Sequence, residues 1–339
     1  MGVDQGIADI LAGMANFGLA SNTWKSYTVI INHLGRCQED TNHSMELPFN
    51  TAKMLTLVGW MIQRGLKSRS ISSYISALRM YHIALGYNEP VLREPMVKLI
   101  MKGKENWDTV QKKLAGVVGR LPVTSLIMRV LKKKIIKADI PGMVKLLLWA
   151  VCCILWNGCF RVHEIVSKTV FEFDPQTTLL WGDVKFNKVK ICGNSVEAMA
   201  IKIKSPKVDR VGAGDYVEVY ATGEYNCPVK AMTKWREANP MSESSEVPVF
   251  RTAEDKCFTG KQLNKYLAEL TECFDTHLKG GKVTSHSFRA GIASEMCRAG
   301  YSSEDIQAVG RWSSSAYKLY LNLPRTQRAM LARTLAMRE

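Results

Sequence analysis

The stretch HSFRAGIASEMCRAGYSSEDIQAVGRWSSSAYKLYL, from His286 to Leu321, decides how the rest of the chain is interpreted. It begins with a His and an Arg three residues apart, His286 and Arg289. Residues at that spacing share one face of a helix, so both side chains can point into one site. Arg offers a planar fork to phosphate oxygens, and His moves protons near neutral pH. The pair therefore suits an anion whose protonation changes during a reaction.

Capping residues set the bounds of the helix that carries this pair. Thr284 and Ser285 supply N-cap side chains, and Gly300 is expected to end the helix at the C′ position. A Gly-Arg-Trp turn follows at Gly310 to Trp312, and Tyr320 lies nine residues after Arg311. The pattern predicts a helix, a tight turn and a tyrosine in that order.

This order of residues resembles the box II region of the tyrosine recombinases, the phage-integrase and Cre/Flp class. Their pattern is H-x-x-R, then G-H or G-W, then a nucleophilic Tyr nine residues after that His or Trp position. The variant GRWSSSAYKLY resembles recombinases of eukaryotic mobile elements, DIRS-like and Crypton-like, more than bacterial ones. The resemblance implies that Tyr320 is the nucleophile. Tyr301 and Tyr317 are rivals that the spacing disfavours.

Composition and charge agree with a nucleic-acid partner. The chain has 339 residues, enough for about two domains. Its net charge is +15 and its pI is near 9.4. A soluble chain this basic usually meets a polyanion, most often DNA or RNA. A basic protein that binds neither is the alternative.

The cysteines point to a reducing compartment. There are nine, an odd number, and Cys152 and Cys153 stand in an apolar run. Reduced thiols, and no charged-then-apolar leader at the N-terminus, predict an intracellular protein of the nucleus or cytoplasm. The apolar run from 146 to 156 is too short to span a membrane and predicts a buried helix. No C-x-x-C pair occurs, so a structural zinc site is not expected. The sequence also has no clustered set of Asp, Glu and His for a catalytic metal, and no cofactor is expected.

The first 113 residues are predicted to be helical. Apolar residues recur at helical spacing in five stretches, at 7–19, 21–39, 51–66, 68–86 and 94–107. Thr23 with Tyr27, the SISSYISALR stretch and His82 resemble the core-binding domain of the same family. The resemblance implies a small, SAM-like helical bundle that clamps one face of duplex DNA.

Basic side chains on these helices are candidates for contact with DNA phosphates, which position a protein without reading sequence. A solvated helix face is the alternative for each of them. The candidates for DNA contact, including two in the expected linker and one in a later loop, are Lys67, Arg69, Arg79, Lys112, Lys113 and Lys204.

Residues 108–122 contain two Lys, two Gly and a Pro and are expected to form no element of their own; the linker proper is set at 114–122. Pro122 and Thr124 then open a helix. The resemblance implies that 123–339 is the α+β catalytic domain. With the helical domain at 1–113 it would close as a C-shaped clamp around DNA. The fold class expected is mainly α with a small antiparallel sheet.

A second motif follows the apolar helix that ends near Asn157. CFRVHEI carries Arg161 and Glu164, three residues apart. On its own this pair is an ordinary ion pair on a helix surface. It resembles box I of the family, which implies that Arg161 binds phosphate and that Glu164 orients it. His163 is expected to face elsewhere.

Residues 177–221 form the only strand-rich part of the sequence, with strand-like alternation in the stretches TTLLWGDVKF, NKVKICG, VEAMAIKIKSP and DYVEVYA. In the family a small antiparallel sheet here carries a Lys in a hairpin loop. The loop from Lys204 to Gly214 matches it, which implies Lys207 as the catalytic Lys, with Lys204 as the rival.

The remaining patterns predict a helix at 226–240 capped by Asn226, a short strand at 247–250 and one or two helices at 259–278. The segment after Tyr320 predicts a final amphipathic helix. That helix packs on its own domain or, as in the family, on a neighbouring protomer.

The reaction that the resemblance implies is attack of the Tyr320 phenolate on a DNA phosphodiester. Arg161, Arg289 and Arg311 would stabilise the charge that develops on the phosphate oxygens. His286 would serve as general base or orienting group, and Lys207 as general acid. Trp312 would anchor the turn. Partners implied are double-stranded DNA and the protein itself, as a dimer on a site and a tetramer at synapsis.

Two other functions share these features. A relative that binds DNA but has lost catalysis would keep the fold. A type IB topoisomerase uses the same Arg, Lys, His and Tyr chemistry without strand exchange. Every signature position holds a workable residue, which disfavours the first, and the helical N-terminal domain with the Gly-Arg-Trp turn disfavours the second.

Overall fold

The computed structural model describes residues 21–87, 94–115, 120–204, 215–239, 245–253, 256–272, 281–312 and 317–318. The chain divides into two compact units, Met1–Val117 and Val118–Glu339. Among the described helices none is long and apolar enough to cross a membrane. The helix predicted at 7–19 and the one predicted after Tyr320 lie outside the described residues.

The first unit contains four described helices: α1 (Ser21–Thr41), α2 (Thr51–Gln63), α3 (Ser68–Ala84) and α4 (Pro95–Leu114). Its core is built from the apolar faces predicted by the helical spacing, with Leu57, Met61, Ile71 and Leu78 fully buried. Burial of each such side chain contributes about 1.5–3 kcal/mol. The Asn50 side chain caps α2 by accepting from the Lys53 amide at 2.8 Å.

His82 is a structural residue of this unit. It is 2% exposed, its Nε2 accepts from the Phe49 amide at 2.9 Å, and its Nδ1 donates to the Leu78 carbonyl at 2.9 Å. The ring therefore joins α3 to the segment before α2, which accounts for a buried polar group without assigning it chemistry.

Helix α4 extends further than the sequence pattern suggested. The stretch from 108 was expected to have no regular structure, but the helix continues to Leu114. Asp108 holds it in place: its carboxylate accepts from the Ser68 amide at 2.6 Å and from Lys104 at 2.6 Å. A buried carboxylate with two donors fixes the helix to the start of α3, and no periodicity signals that contact.

The second unit is built round a helix that is buried over most of its surface. α6 (Gly142–Asn157) follows α5 (Ser125–Lys137) and has eight buried residues, Leu147, Leu148, Ala150, Val151, Cys152, Cys153, Ile154 and Leu155. It packs against α5, α8 (Pro228–Ala238) and α10 (Ser285–Arg298). The predicted core helix is confirmed, and it ends at Asn157 as expected.

Three antiparallel strands form the sheet of this unit, β1 (Val184–Ile191), β2 (Asn194–Ile203) and β3 (Asp215–Tyr220), in the order β1-β2-β3. Val184 pairs with Ile201, and Ile201 with Val217. The prediction of a strand from 177 was wrong at its start, because Trp181–Asp183 forms a 3-10 turn in which the Asp183 carboxylate accepts from the Leu180 amide. The β2–β3 loop, 205–214, lies outside the described residues.

The other short elements of this unit are α7 (Val162–Ile165), β4 (Arg251–Ala253), β5 (Lys256–Cys257), α9 (Gly260–Thr271) and α11 (Ser303–Gly310). Two predictions were wrong in detail. Cys227, not Asn226, caps α8, through its Sγ and the Lys230 amide. The strand expected at 247–250 begins only at Arg251, because the Trp235 indole and the Leu179 carbonyl bond the Val249 backbone instead.

Residues 120–123, expected to belong mainly to the linker, are bonded to the segment that leads into α10. Arg120 pairs with Lys282 in a parallel bridge, and the Leu121 amide donates to the Lys282 carbonyl at 3.0 Å. The Val123 amide donates to the Ser287 carbonyl at 2.8 Å. These contacts make the segment a support for the first turn of α10.

Candidate active site

The turn between α6 and α7 supplies the backbone of the site. Gly158 ends α6, and Cys159 takes a left-handed conformation with φ of 47°. A Cβ at position 158 would lie 2.1 Å from the ring of the buried Phe160, so a larger residue would require that ring to move. The reversal leaves the carbonyls of Gly158 and Cys159 free to accept hydrogen bonds from arginine side chains.

Arg161 and Glu164 lie at the start of α7, directly after this turn. The Glu164 carboxylate accepts from the Arg161 amide at 2.8 Å and from its guanidinium at 2.7 Å. Its side chain is 5% exposed, against 25% for Arg161. Glu164 therefore sits below Arg161 and fixes it while leaving part of the guanidinium accessible.

Arg289 enters the same place from the second turn of α10. It is 3% exposed and donates to the Cys159 carbonyl and, at 2.6 Å, to the Gly310 carbonyl. Its guanidinium lies 4.7 Å from the centroid of the Trp312 ring. The predicted role of Trp312 as an anchor agrees with this stacking.

Arg311 follows α11 and has φ of 52°, a left-handed conformation that is uncommon outside glycine. Its guanidinium donates to the Gly158 carbonyl at 3.0 Å and to the Glu164 carboxylate at 3.1 Å. It also lies 5.0 Å from the Phe160 ring centroid. The turn conformation aims this side chain back at the start of α7.

Three guanidinium groups thus converge on the turn after α6, and two of them contact the same carboxylate. In the described part of the chain Arg289 has no ion-pair partner, while Arg161 and Arg311 share Glu164. Burial lowers the pKa of Arg289, and the charges of Arg161 and Arg311 also act to lower it. An excess of buried positive charge is costly unless an anion is bound. Guanidinium groups in this arrangement can donate several hydrogen bonds to one anion, as a phosphate group requires.

His286 lies at the exposed rim of this cluster, one turn before Arg289. Partial desolvation of its ring lowers the pKa below the ordinary 6.5. Positive neighbours lower it further, in the order Arg120, Arg289, His163 and Arg161. A pKa below 6.5 favours the neutral ring at pH 7, the form that can accept a proton.

Two of those neighbours were not assigned to the site from the sequence. His163 was expected to face elsewhere; its ring lies beside Gly260 at the start of α9, and in its protonated form it also acts to lower the pKa of His286. Arg120 was counted within the linker, and it reaches His286 because the segment 120–123 is bonded to the start of α10. No sequence periodicity predicts the pairing of Arg120 with Lys282, so Arg120 could not have been assigned to the site from the sequence. For His163 the one available signal was its position two residues after Arg161.

Of the remaining predicted site residues and their rivals, two lie outside the described residues and two are largely buried. Tyr320 and Lys207 lie outside the described residues. Lys204 is largely buried, with its ammonium 2.6 Å from the Asp183 carboxylate and 2.8 Å from the Pro175 carbonyl. Those contacts occupy it and disfavour it as the rival general acid. Tyr317 is 2% exposed and packs on Trp312, which disfavours it as a nucleophile.

The basic residues predicted to contact DNA in the first unit are all exposed: Lys67, Arg69, Arg79, Lys112 and Lys113. Lys67 and Arg69 stand at the start of α3, and Lys112 and Lys113 lie in the last turn of α4 rather than in an extended linker. Their accessibility is compatible with phosphate contact, which stays a prediction. Among the described residues no group of three or more His, Cys, Asp or Glu is arranged to hold a metal ion.

Comparisons with known proteins find similarity at the level of structure. No family model and no curated protein matches the sequence. The XerH site-specific recombinase, bound to palindromic difH substrate in a post-cleavage complex, matches with a TM-score of 0.60 at 12% identity, over 92% of this chain and 79% of that one.

Two other matches have similar strength. The Tn1549 transposon integrase, in complex with a circular intermediate DNA, gives a TM-score of 0.57 at 11% identity, over 93% and 94% of the two chains. A lambda integrase dimer bound to a COC' core site gives 0.54 at 13% identity, over 93% of each. The mainly helical fold with a small antiparallel sheet is that of these recombinases and integrases.

Proposed function

We propose that this chain is a tyrosine-type DNA recombinase that breaks and rejoins DNA through a 3′-phosphotyrosyl intermediate. The observation that carries the proposal is the convergence of Arg161, Arg289 and Arg311 at the turn after α6. Arg289 and Arg311 reach that turn from residues 130 and 153 positions away in the sequence. The fold, which is similar to that of recombinases described as bound to DNA, supports the same reading.

The guanidinium cluster would bind the scissile phosphate and stabilise the charge of the transition state. A pentacoordinate phosphorus places extra negative charge on its non-bridging oxygens, and positioned cations lower its free energy. Loss of one such donor typically costs about 10²–10³ in rate. Arg161, which is the most exposed of the three, and the rim at His286 are where a phosphate would approach from solvent.

The covalent step balances without an external energy source. The Tyr320 phenolate attacks phosphorus, an O–P bond to tyrosine forms, and the bond to the 5′-oxygen breaks. Lys207 would give its proton to that leaving oxygen, and neutral His286 would accept or orient the phenol proton. A 5′-hydroxyl of another strand reverses the step, because phenolate, with a pKa near 10, is the better leaving group.

The DNA partner, the oligomeric state and the biological source form the remaining part of the proposal. The net charge of +15 suits a duplex DNA partner. Exchange of two duplexes requires four active sites, so we propose a dimer on each site and a tetramer at synapsis. The GRWSSSAYKLY variant favours a mobile element as the source, with integration or excision as the outcome and the nucleus as the setting.

A suicide-substrate assay tests the proposal. Duplexes tiled across the DNA that flanks the gene, each nicked beside a candidate phosphate, are incubated with the protein, and adducts are separated on denaturing gels. The free end created at the nick diffuses away, so a cleaved strand stays attached to the tyrosine. We expect a covalent adduct whose modified residue maps to Tyr320 by mass spectrometry.

Matched tyrosine variants sharpen the result. Tyr320→Phe should abolish the adduct and keep duplex binding in a mobility-shift assay. Tyr301→Phe should keep both, because Tyr301 is exposed and precedes α11 in the sequence, whereas Tyr320 follows it. Binding without an adduct on any duplex would indicate a relative that has lost catalysis. Relaxation of supercoiled plasmid without strand exchange would indicate a topoisomerase.

A further inference from the structure

A cavity of about 220 Å³ lies in the second unit, between α5, α6 and the start of α8. Ile135, Ile136, Leu146 and Ala231 form its apolar walls, and the rings of Trp149 and Tyr225 form one side. None of the arginines of the candidate active site lines it. Its chemistry is therefore separate from that of the proposed reaction.

The cavity is ringed by positive charge. Four lysines line it, Lys132, Lys145, Lys230 and Lys234, and none of the lining residues is acidic. Lys132 donates to the Tyr225 carbonyl at 3.1 Å, and Lys145 donates to the Ile136 carbonyl at 2.9 Å. Lys230 and Lys234 are exposed, one turn apart on α8. Where the structure is described, neither of these two ammonium groups has an ion-pair partner. A ligand with carboxylates would complete this rim.

The aromatic rings are not free to stack on a nucleobase. Trp149 and Tyr225 stack on each other, with centroids 6.5 Å apart and planes at 29°. The Lys132 ammonium lies 5.3 Å from the Trp149 centroid and 5.8 Å from that of Tyr225. Arg129 also lies 4.9 Å from the Tyr225 centroid. Recognition of single-stranded nucleic acid uses open ring faces, and cations cover these, so the cavity offers mainly ring edges and aliphatic walls.

The size of the cavity favours a single side chain. Pockets for small organic ligands usually measure about 300–1,000 Å³, and this one is smaller. An aliphatic side chain would bury its surface against the apolar walls, and flanking carboxylates would meet the ammonium groups of α8. We propose that this cavity binds an acidic peptide segment of a partner protein, with one aliphatic residue as its anchor.

The C-terminal segment of the chain itself does not fit this description. Residues 322–339 carry Arg325, Arg328, Arg333 and Arg338 against the single acid Glu339. Its charge has the same sign as the lysine rim, and like charges brought together oppose binding. The partner is therefore distinct from this segment, whether the segment comes from the same protomer or another.

The test uses the full-length protein and a fluorescein-labelled peptide, Glu-Asp-Glu-Leu-Glu-Asp-Glu, followed by fluorescence anisotropy. We expect saturable binding, weakened about tenfold or more by the double change Lys230→Glu with Lys234→Glu. The peptide with Ser in place of Leu should bind at least about fivefold more weakly, because the anchor side chain is lost. Lys188→Glu with Lys190→Glu, an equal charge change on exposed lysines of β1, is the matched control.

Each outcome decides the proposal. If the control pair loses as much binding as the α8 pair, the effect is one of net charge and the proposal is overturned. The absence of saturable binding of the acidic peptide would also overturn the proposal. A synthetic peptide of residues 322–339 that binds more tightly than the acidic one would also overturn it, as would a single-stranded oligonucleotide that competes through Lys230 and Lys234. If the double variant unfolds, Lys230→Ala with Lys234→Ala replaces it, and circular dichroism verifies its fold. We expect this variant to weaken binding of the acidic peptide too, by a smaller factor.

Discussion

Arg311 donates a hydrogen bond of 3.1 Å to Glu164, which lies 147 residues earlier in the chain. The same carboxylate accepts from Arg161 at 2.7 Å. One buried acid therefore holds two cations that come from different ends of the second unit. The contact ties the turn after α11 to the start of α7, so the position of each arginine depends on the other through Glu164.

Glu164→Gln is expected to lower the free energy of unfolding of the second unit by about 2–3 kcal/mol. The change leaves Arg161 and Arg311 without their shared carboxylate, and an uncompensated charge in a mostly buried setting is costly. Urea denaturation measures the loss. Sulfate should restore more stability to the variant than it adds to the unchanged protein, since an anion that binds only the folded state stabilises it.

Glu269→Gln is the matched control for that change. Glu269 is paired with Lys265 at 3.9 Å on the exposed face of α9, and such a pair contributes at most about 1 kcal/mol. We expect its unfolding curve to overlay that of the unchanged protein. A Glu164 variant as stable as this control would mean that the carboxylate does not hold the arginines.

The pKa of His286 should rise when the charge of Arg120 is removed. Arg120 is the strongest of the charged neighbours that lower this pKa below 6.5, after desolvation of the ring. We expect Arg120→Gln to move the His286 titration towards 6.5, as followed by NMR of the imidazole carbon-bound protons. Lys168→Gln removes a charge that acts on His163 and should shift the His163 resonance more than that of His286.

The lowered pKa also has a consequence for stability. Because the folded-state pKa of His286 lies below 6.5, the unfolded chain binds this proton more readily than the folded one. The contribution of His286 to stability therefore falls as the pH decreases through 6.5 towards the folded-state pKa. His286→Asn should remove that part of the acid sensitivity. Identical pH profiles for the two proteins would contradict the arrangement of cations round the ring.

Much of the helical framework could be predicted from apolar spacing and capping residues. The buried helix ending at Asn157, the start of α10 after Thr284 and the left-handed Gly300 (φ 85°) all follow from such local signals. The Thr284 hydroxyl, expected to cap α10, makes no hydrogen bond within the described residues, and the Ser287 hydroxyl accepts from the Thr284 amide instead. These features depend on residues near one another in the sequence, where periodicity and turn chemistry are informative. The fold class, mainly helical with a small antiparallel sheet, follows from the same patterns.

What could not be predicted depends on contacts between distant residues. Backbone carbonyls at Gly158 and Cys159 are acceptors for Arg289 and Arg311, and a carbonyl has no sequence signature. Arg120 joins the site only because its segment pairs with Lys282. The continuation of α4 to Leu114 depends on Asp108 and Ser68, which are 40 residues apart. In each case the tertiary contact decides the local structure.

Asp108→Asn is expected to destabilise the first unit by about 1–2 kcal/mol at pH 7, because the charge that meets Lys104 is lost while one oxygen can still accept from Ser68. The Lys104 hydrogen bond, followed by that of the Ser68 amide, holds the pKa of Asp108 well below its ordinary 3.8. Stability from a carboxylate of lowered pKa is present above 3.8 and is lost as the pH falls towards the folded-state value.

The difference between Asp108→Asn and the unchanged protein should therefore shrink in unfolding measurements below pH 3.8. Glu105→Gln is the matched control, since Glu105 pairs with Lys102 on the exposed face of the same helix. We expect that change to have a small effect at any pH. A deficit of Asp108→Asn that persists unchanged in acid would contradict the role of the charge.

Gly291→Ala is expected to displace α10, the helix that carries His286 and Arg289. A Cβ at this position of α10 would lie 1.8 Å from the Val123 carbonyl oxygen. That oxygen cannot move away freely, because it accepts from the Trp156 indole at 2.9 Å while the Val123 amide is bonded to Ser287. The helix that carries His286 and Arg289 must shift instead. Overpacking of this kind costs about 1–3 kcal/mol.

Gly103→Ala makes the same chemical change in the middle of α4, where nothing lies within 4 Å of the added Cβ. There the gain in helix propensity should stabilise the chain by about 0.5–1 kcal/mol. Thermal unfolding of the two variants is therefore expected to move in opposite directions. In the Gly291 variant the displaced helix should no longer hold the His286 ring beside Arg120. The pKa of His286, followed by NMR, should therefore rise towards 6.5. A Gly291 variant that gains stability would show that α10 does not pack on Val123 as closely as these distances require.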